Sequence, residues 1–299
     1  MYFCDTSNIR EHYAKDPCVV RLGDKYFMYY SLWVGIDGKD KLDIGISVSD
    51  DLESWTPVGR LPIGGGCEEN GIGAPGAIVL DGVIHMFYQT YGNNEKDAIC
   101  HATSRDGINF EKDPTNPVFA PTADWCCGRA IDADVIEFRG RLYLYFATRD
   151  HLMKIQKLGV ASADIKSDFS RSAWRQEIAQ SVLAPEYKYE GACIEAPATI
   201  IDDGKIYMFY GGSYNCTPQQ IGVAVSHDGV HFDKLTSSPF LPCGEAGSWN
   251  SDESGHPYAF RDDNGRAYLF YQGTNNKGKS WYLSKCEIAF RDGIPYIVK

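Results

Sequence analysis

Three carboxylates stand where recurring strands of this chain begin: Asp16 before Pro17, Asp132 before Ala133, and Glu195 before Ala196-Pro197. Carboxylates gathered in a partly desolvated place push one another's pKa values apart, so one stays protonated near neutral pH while another ionises. Cleavage of a glycosidic bond needs that split. One carboxyl protonates the leaving oxygen, and the other serves as base or nucleophile. Glutamate reaches farther than aspartate, so Glu195 is the expected acid. Asp134 lies two residues beyond Asp132, on the same face by strand alternation, and competes with it from deeper inward.

Side chains this far apart in sequence meet only if the fold brings them together. The chain has 299 residues, and one unit repeats five times along it. The anchors are Asp16-Pro17, Ala74-Pro75, Asp132-Ala133, Glu195-Ala196-Pro197 and His256-Pro257, spaced from Pro17 by 58, 58, 64 and 60 residues. Each anchor leads into an apolar run, a polar turn and an aromatic run such as Tyr26–Tyr30 or Ile206–Tyr210. Turns such as Asp81-Gly82 and Asp203-Gly204 suit tight hairpins, and the short aromatic runs suit buried strands. A third run follows, then in three repeats a turn of the Ser-x-Asp kind, with Gly after the Asp in two of them, then a fourth strand. Ile165–Trp174 is the one stretch with any helical period.

Four antiparallel strands in each of five units predict an all-β, five-bladed β-propeller, read as a single domain over 1–299. The terminal repeats are as regular as the middle ones, which favours a closed ring over a stacked solenoid with caps. The N-terminal segment is expected to complete or pack on the last blade. In a ring, the anchors and the loops after the second strands share one face. Those loops supply Trp33, Tyr91–Asn94, Arg149–His151, Tyr214-Asn215 and Thr274–Asn276. Aromatic rings and polar groups around a funnel suit a sugar, with Trp33, Arg149, Tyr214, His256 and Asp134 as the substrate-binding candidates.

At the anchors the chain resembles glycoside hydrolase family 43 and its five-bladed relatives in families 32, 117 and 130. The matching motifs are Lys15-Asp16-Pro17, Gly73-Ala74-Pro75, Ile131-Asp132-Ala133, Ile194-Glu195-Ala196-Pro197 and Gly255-His256-Pro257, in order and at blade spacing. The resemblance implies a general base at Asp16, a carboxylate at Asp132 that tunes and orients the acid, and the general acid at Glu195. It implies a histidine at the channel centre at His256, which in some members helps to hold a calcium ion or a water cluster. No cofactor is required, and structural calcium in the central channel is the one metal the resemblance admits. Departures fall on the pocket wall: Ala133 for proline, Ala196 for glycine, Gly73 for tryptophan and Lys15 for histidine. They leave the substrate more open than the reaction.

The expected function is therefore an inverting, exo-acting glycosidase on a short oligosaccharide, arabinofuranosidase- or xylosidase-like. The alternatives are a retaining fructosidase, a phosphorylase drawing on Arg129, Arg149 and His151, or a non-catalytic sugar binder, which would have no need of a proton donor. A net charge of −11 argues against a nucleic-acid partner or an acidic membrane surface. No apolar run is long enough to span a membrane. The ten cysteines form no C-x-x-C pair, and without a visible secretory signal they read as reduced thiols in a cytoplasmic protein. Adjacent Cys126 and Cys127 rarely make a disulfide. Glu190 and Glu253 read as solvated flanking acids.

Overall fold

A computed structural model of the chain describes residues 1–298 apart from 8, 10 and 11. Five four-stranded antiparallel sheets succeed one another along it, each a meander. Blade one holds β1 (Lys15–Leu22), β2 (Lys25–Ile36), β3 (Lys39–Ser49) and β4 (Thr56–Leu61); blade two holds β5 (Ile72–Leu80), β6 (Val83–Thr90), β7 (Ile99–Ser104) and β8 (Glu111–Lys112). Blade three holds β9 (Ile131–Phe138), β10 (Arg141–Arg149), β11 (Gln156–Asp164) and β12 (Arg175–Gln176). Blade four follows with β13 (Ile194–Asp202), β14 (Lys205–Gly212), β15 (Gln220–Ser226) and β16 (Phe232–Lys234). Blade five ends the chain with β17 (Glu253–Arg261), β18 (Ala267–Thr274), β19 (Tyr282–Arg291) and β20 (Ile294–Ile297).

The first strands β1, β5, β9, β13 and β17 touch in that order, and β17 returns to β1, so the sheets close into a ring. The expected five-bladed propeller is what forms. Phe3 pairs with Leu283 and extends the outer edge of blade five. The segment with helical period carries only a short 3-10 turn, Arg171–Ala173. At the hairpins Asp81-Gly82, Arg139-Gly140 and Asp203-Gly204, both residues have positive φ, as the tightest right-twisted turns require. Where a Ser-x-Asp-Gly turn occurs, the aromatic second strand of the preceding blade reaches it. Tyr29 Oη donates to Gly107 O at 3.1 Å, and Tyr145 Oη to Gly229 O at 2.8 Å.

Each first strand is interrupted at the same place. Asp16, Ala74, Asp132, Ala196 and His256 all have φ between 40° and 54°. The pairing register of each first strand with its second strand shifts there, two residues opposing one. This is a β-bulge with a left-handed residue, and it turns one backbone N–H out of the ladder. In every blade that N–H finds a side-chain acceptor on the preceding blade. Gln272 Oε1 takes Asp16 N (3.0 Å), Ser31 Oγ takes Ala74 N (2.9 Å), and Gln89 Oε1 takes Asp132 N (2.9 Å). Asp132 Oδ2 takes Ala196 N (3.3 Å), and Gln219 Oε1 takes His256 N (2.9 Å).

The bulges correct the expected alignment. The left-handed position in blade four is Ala196, so Glu195 corresponds to Lys15, Gly73, Ile131 and Gly255, one residue earlier. The three carboxylates do not occupy one equivalent position. Two are anchors and the third precedes one.

Two residues past each anchor lies a second ring: Cys18, Gly76, Asp134, Ala198 and Tyr258. Tyr258 crosses the channel from blade five and donates to Ala77 O of blade two at 3.0 Å. Gly76 makes room for the neighbouring backbone, since a Cβ there would lie 2.0 Å from Ala133 O. Gly76→Ala should therefore cost about 1–3 kcal/mol in urea unfolding. At Gly35 a Cβ would make an ordinary 3.7 Å contact, and Gly35→Ala should stay within about 0.5 kcal/mol. Equal effects at the two sites would refute the close-approach account.

Candidate active site

One pocket opens at the mouth of the channel. It is lined by Asp16, Asp132, Glu195 and His256 from the first strands, and by Trp33, Arg149 and Tyr214 from the loop side. Seven of the eight predicted site residues thus meet. Tyr91 and Asn215 join them, whereas Thr274–Asn276 of the fifth loop do not. Tyr13, Trp33 and Tyr91 make an aromatic wall, with Trp33 edge-on to Tyr91 at 5.9 Å and to Tyr13 at 6.4 Å.

Asp134 is the eighth, and the structure places it elsewhere. The bulge at Asp132 breaks the alternation that put both acids on one face. Asp134 is buried below the pocket, and its Oδ2 accepts the N–H and hydroxyl of Thr199 on the next blade. It ties blade three to blade four. Burial pushes its pKa up to about 7, against the lowering effect of those donors.

The three pocket acids sit in different surroundings. Asp16 is buried, which alone would raise its pKa. The His256 imidazole, Nδ1 at 3.1 Å from Oδ1, the Lys15 ammonium at 3.8 Å and the Ser31 hydroxyl outweigh burial and hold it below the usual range. Asp132 goes the other way. Burial, followed by the charges of Glu195 and Asp16, raises it to about 7 against the opposing effects of His256 and Arg129. Glu195 is fixed by two amides: Gln219 Nε2 donates to Oε1 at 2.6 Å, and Gln156 Nε2 donates to Oε2. Both amides have their orientation set from behind. Gln219 Oε1 holds the His256 N–H, and Gln156 Oε1 takes Arg149 Nε at 2.8 Å.

Several contributors stand outside the eight predicted site residues. Lys15 lines the pocket over the Trp281 ring at 4.6 Å. Glu253 is fully buried rather than solvated. Gln272 Nε2 and Cys216 N each donate to it at 2.7 Å, which aims Gln272 Oε1 at the Asp16 N–H. Burial raises Glu253 to about 7 despite the opposing Lys15 charge. Glu190 is also buried, because Tyr210 Oη and Lys234 Nζ, each at 2.7 Å, satisfy it. A matching Tyr88–Glu68–Lys112 cluster stands in blade two. His151 bonds the Asp124 carbonyl at 2.6 Å and does not line the pocket, unlike Arg129 and Arg149.

The channel centre does not suit calcium, which takes six to eight oxygen ligands. His256 Nδ1 is engaged by Asp16, and of the ring below, Cys18, Gly76, Ala198 and the Tyr258 phenol bring no carboxylate while Asp134 Oδ2 is taken by Thr199. Among the described residues no group of three or more His, Cys, Asp or Glu converges on a metal position.

A model of the family described as Glycosyl hydrolases family 43 matches residues 6–292. A comparison with curated proteins finds no match. Among solved structures, the chain is similar to a thermostable family-43 glycoside hydrolase (TM-score 0.78, 20% identity, 96% of this chain and 93% of that one). It is similar to an exo-1,5-α-L-arabinanase from a bovine ruminal metagenomic library (0.71, 20%, 99% of each chain). It is also similar to a family 32 β-fructofuranosidase from Bombyx mori (0.73, 15%, 96% of this chain and 62% of that one). At these identities the likenesses speak for the fold.

Asp134 gives a pH test outside the pocket. Its folded pKa lies above its unfolded value of 3.8, so its contribution is complete below pH 3.8 and is lost as pH rises through about 7. Asn at this position accepts from Thr199 and cannot ionise. The melting temperature of Asp134→Asn minus that of the wild type should grow between pH 4 and 8. A constant difference would show that the buried acid does not titrate there.

Proposed function

The chain belongs to glycosyl hydrolase family 43 and is a glycosidase, and from that premise we propose that it removes a terminal sugar from a short oligosaccharide with inversion, in the manner of an arabinofuranosidase or xylosidase. One observation carries the reading. Three carboxylates from three blades meet in one pocket, and their surroundings hold Asp16 ionised while Asp132 keeps its proton up to about pH 7.

In this reading Asp16 takes a proton from water as the water attacks the anomeric carbon. Glu195 gives its proton to the departing oxygen as the glycosidic bond breaks. As carboxylates Asp132 and Glu195 repel each other, so the pair retains a proton that Glu195 can give, and through the Ala196 N–H Asp132 fixes the strand that carries Glu195. Trp33, Tyr91 and Tyr214 offer apolar faces to the sugar ring. No step is routed through a metal. The ten free cysteines support a reducing, cytoplasmic setting.

Proton NMR of the first sugar released tests the stereochemistry. Inversion predicts the opposite anomer to the substrate's, appearing before mutarotation. The retained anomer would favour a family 32-like reaction with Asp16 as nucleophile, and a sugar 1-phosphate formed only with inorganic phosphate would favour phosphorolysis. Asp16→Asn should lower kcat by roughly 10²–10⁴-fold. Lys15→Met removes one of the charges that hold Asp16 ionised, so the acidic limb of kcat/KM should move to higher pH. An unmoved limb would show that Lys15 does not act on the base.

A further inference from the structure

Four cationic groups line the pocket: Lys15, Arg129, Arg149 and, when protonated, His256. Three of them face a carboxylate. Lys15 and His256 stand at Asp16, and Arg129 Nε lies 3.5 Å from buried Asp97. Arg149 has no carboxylate within 4.0 Å among the described residues. Its Nε donates to Gln156, its guanidinium lies 5.4 Å from the centre of the Tyr214 ring, and the side chain lines the pocket.

A half-buried guanidinium without a counter-ion is costly to desolvate, and neutral hydroxyls would be served as well by uncharged donors such as Asn215. The planar fork of arginine matches a carboxylate in two parallel hydrogen bonds, and an aromatic face behind it fixes its plane. Position narrows the partner further. Gln156 accepts from Arg149 with one atom and donates to Glu195 with the other, so the guanidinium lies one amide away from the expected acid.

We infer that the substrate is an acidic oligosaccharide, with a uronate carboxylate next to the scissile bond held by Arg149. The inference rests on the glycosidase reading above and names its substrate class. The paired charges at Asp16 matter here too: with Lys15 and His256 beside that acid, a second carboxylate enters the pocket with less repulsion.

Calorimetric titration separates this from its rivals. Galacturonate and glucuronate are titrated against galactose and glucose, and inorganic phosphate is a separate titrant. The proteins are the wild type, Arg149→Gln and Arg149→Lys, each checked for an unchanged melting temperature. At least one uronate should bind the wild type about tenfold or more tighter than its neutral counterpart. Arg149→Gln should abolish the preference, and Arg149→Lys should keep part of it, since lysine holds the charge without the fork. No uronate preference in the wild type, or one that persists in Arg149→Gln, overturns the inference. Tight binding of phosphate alone, lost in Arg149→Gln, overturns it in favour of phosphorolysis. If Arg149 only orients Gln156, its substitution will weaken acidic and neutral sugars alike. A uronate preference without hydrolysis of any glycoside would sink the glycosidase reading and leave Arg149 as a carboxylate site only; hydrolysis without the preference would overturn this inference alone.

Discussion

A backbone N–H that leaves its own sheet at every bulge must find an acceptor, and in this ring it finds one on the preceding blade. The constraint arises because a left-handed residue at the head of each first strand breaks the ladder, and a buried donor left unpaired costs on the order of 1–3 kcal/mol. Ser31, Gln89, Asp132, Gln219 and Gln272 supply the acceptors in turn. Each bond joins one blade to the next, so the ring is stitched around the mouth of the channel. The same bulges let the residue before an anchor face the pocket along with the anchor, which is why Glu195 reaches it from a position earlier than Asp16 and Asp132 do.

The acceptors explain why the three acids differ. In blades one, two and five the acceptor comes from the second strand, opposite the residue before the anchor. Blade three has Ala147 at that place and blade four has Gly211, neither of which can accept through a side chain. Asp132 does the task in blade three with its own carboxylate, and in blade four Gln219 occupies the space that Gly211 leaves. Gln219 then uses its free amide on Glu195. Asp132 is thus both a structural acceptor and a pocket acid, and its burial keeps it protonated where Asp16, flanked by His256 and Lys15, is not. Charge separation at the site follows from how the blades are joined.

The repeat made the fold legible. Proline and aromatic spacing gave five blades, and the Asp-Gly and Arg-Gly turns gave the hairpins. The pocket was legible too at Asp16, Asp132, Glu195, Trp33, Arg149, Tyr214 and His256, because propeller geometry dictates which strand starts and loops share a face. The bulge was not. No single residue type marks it, since Asp, Ala and His all adopt positive φ here, and so Asp134 was expected in the pocket and Glu195 at the wrong register. Glu190 and Glu253 were misjudged because their partners, Lys234 and Gln272, lie 44 and 19 residues away. The glutamines at the ends of β6 and β18 align with Ser31 in the repeat, a signal present in the sequence that points to backbone acceptors only once the bulge is seen.

The account stands on a division of labour between Asp16 and Glu195, and leaving-group dependence tests that division most directly. Wild type, Glu195→Gln and Asp16→Asn would be compared on a glycoside with an alkyl or sugar leaving group and on the dinitrophenyl glycoside of the same sugar, which departs without protonation. Glu195→Gln should lose about 10²–10⁴-fold on the first and little on the second, while Asp16→Asn should lose comparably on both. Equal losses of Glu195→Gln on the two substrates would contradict its role as the acid.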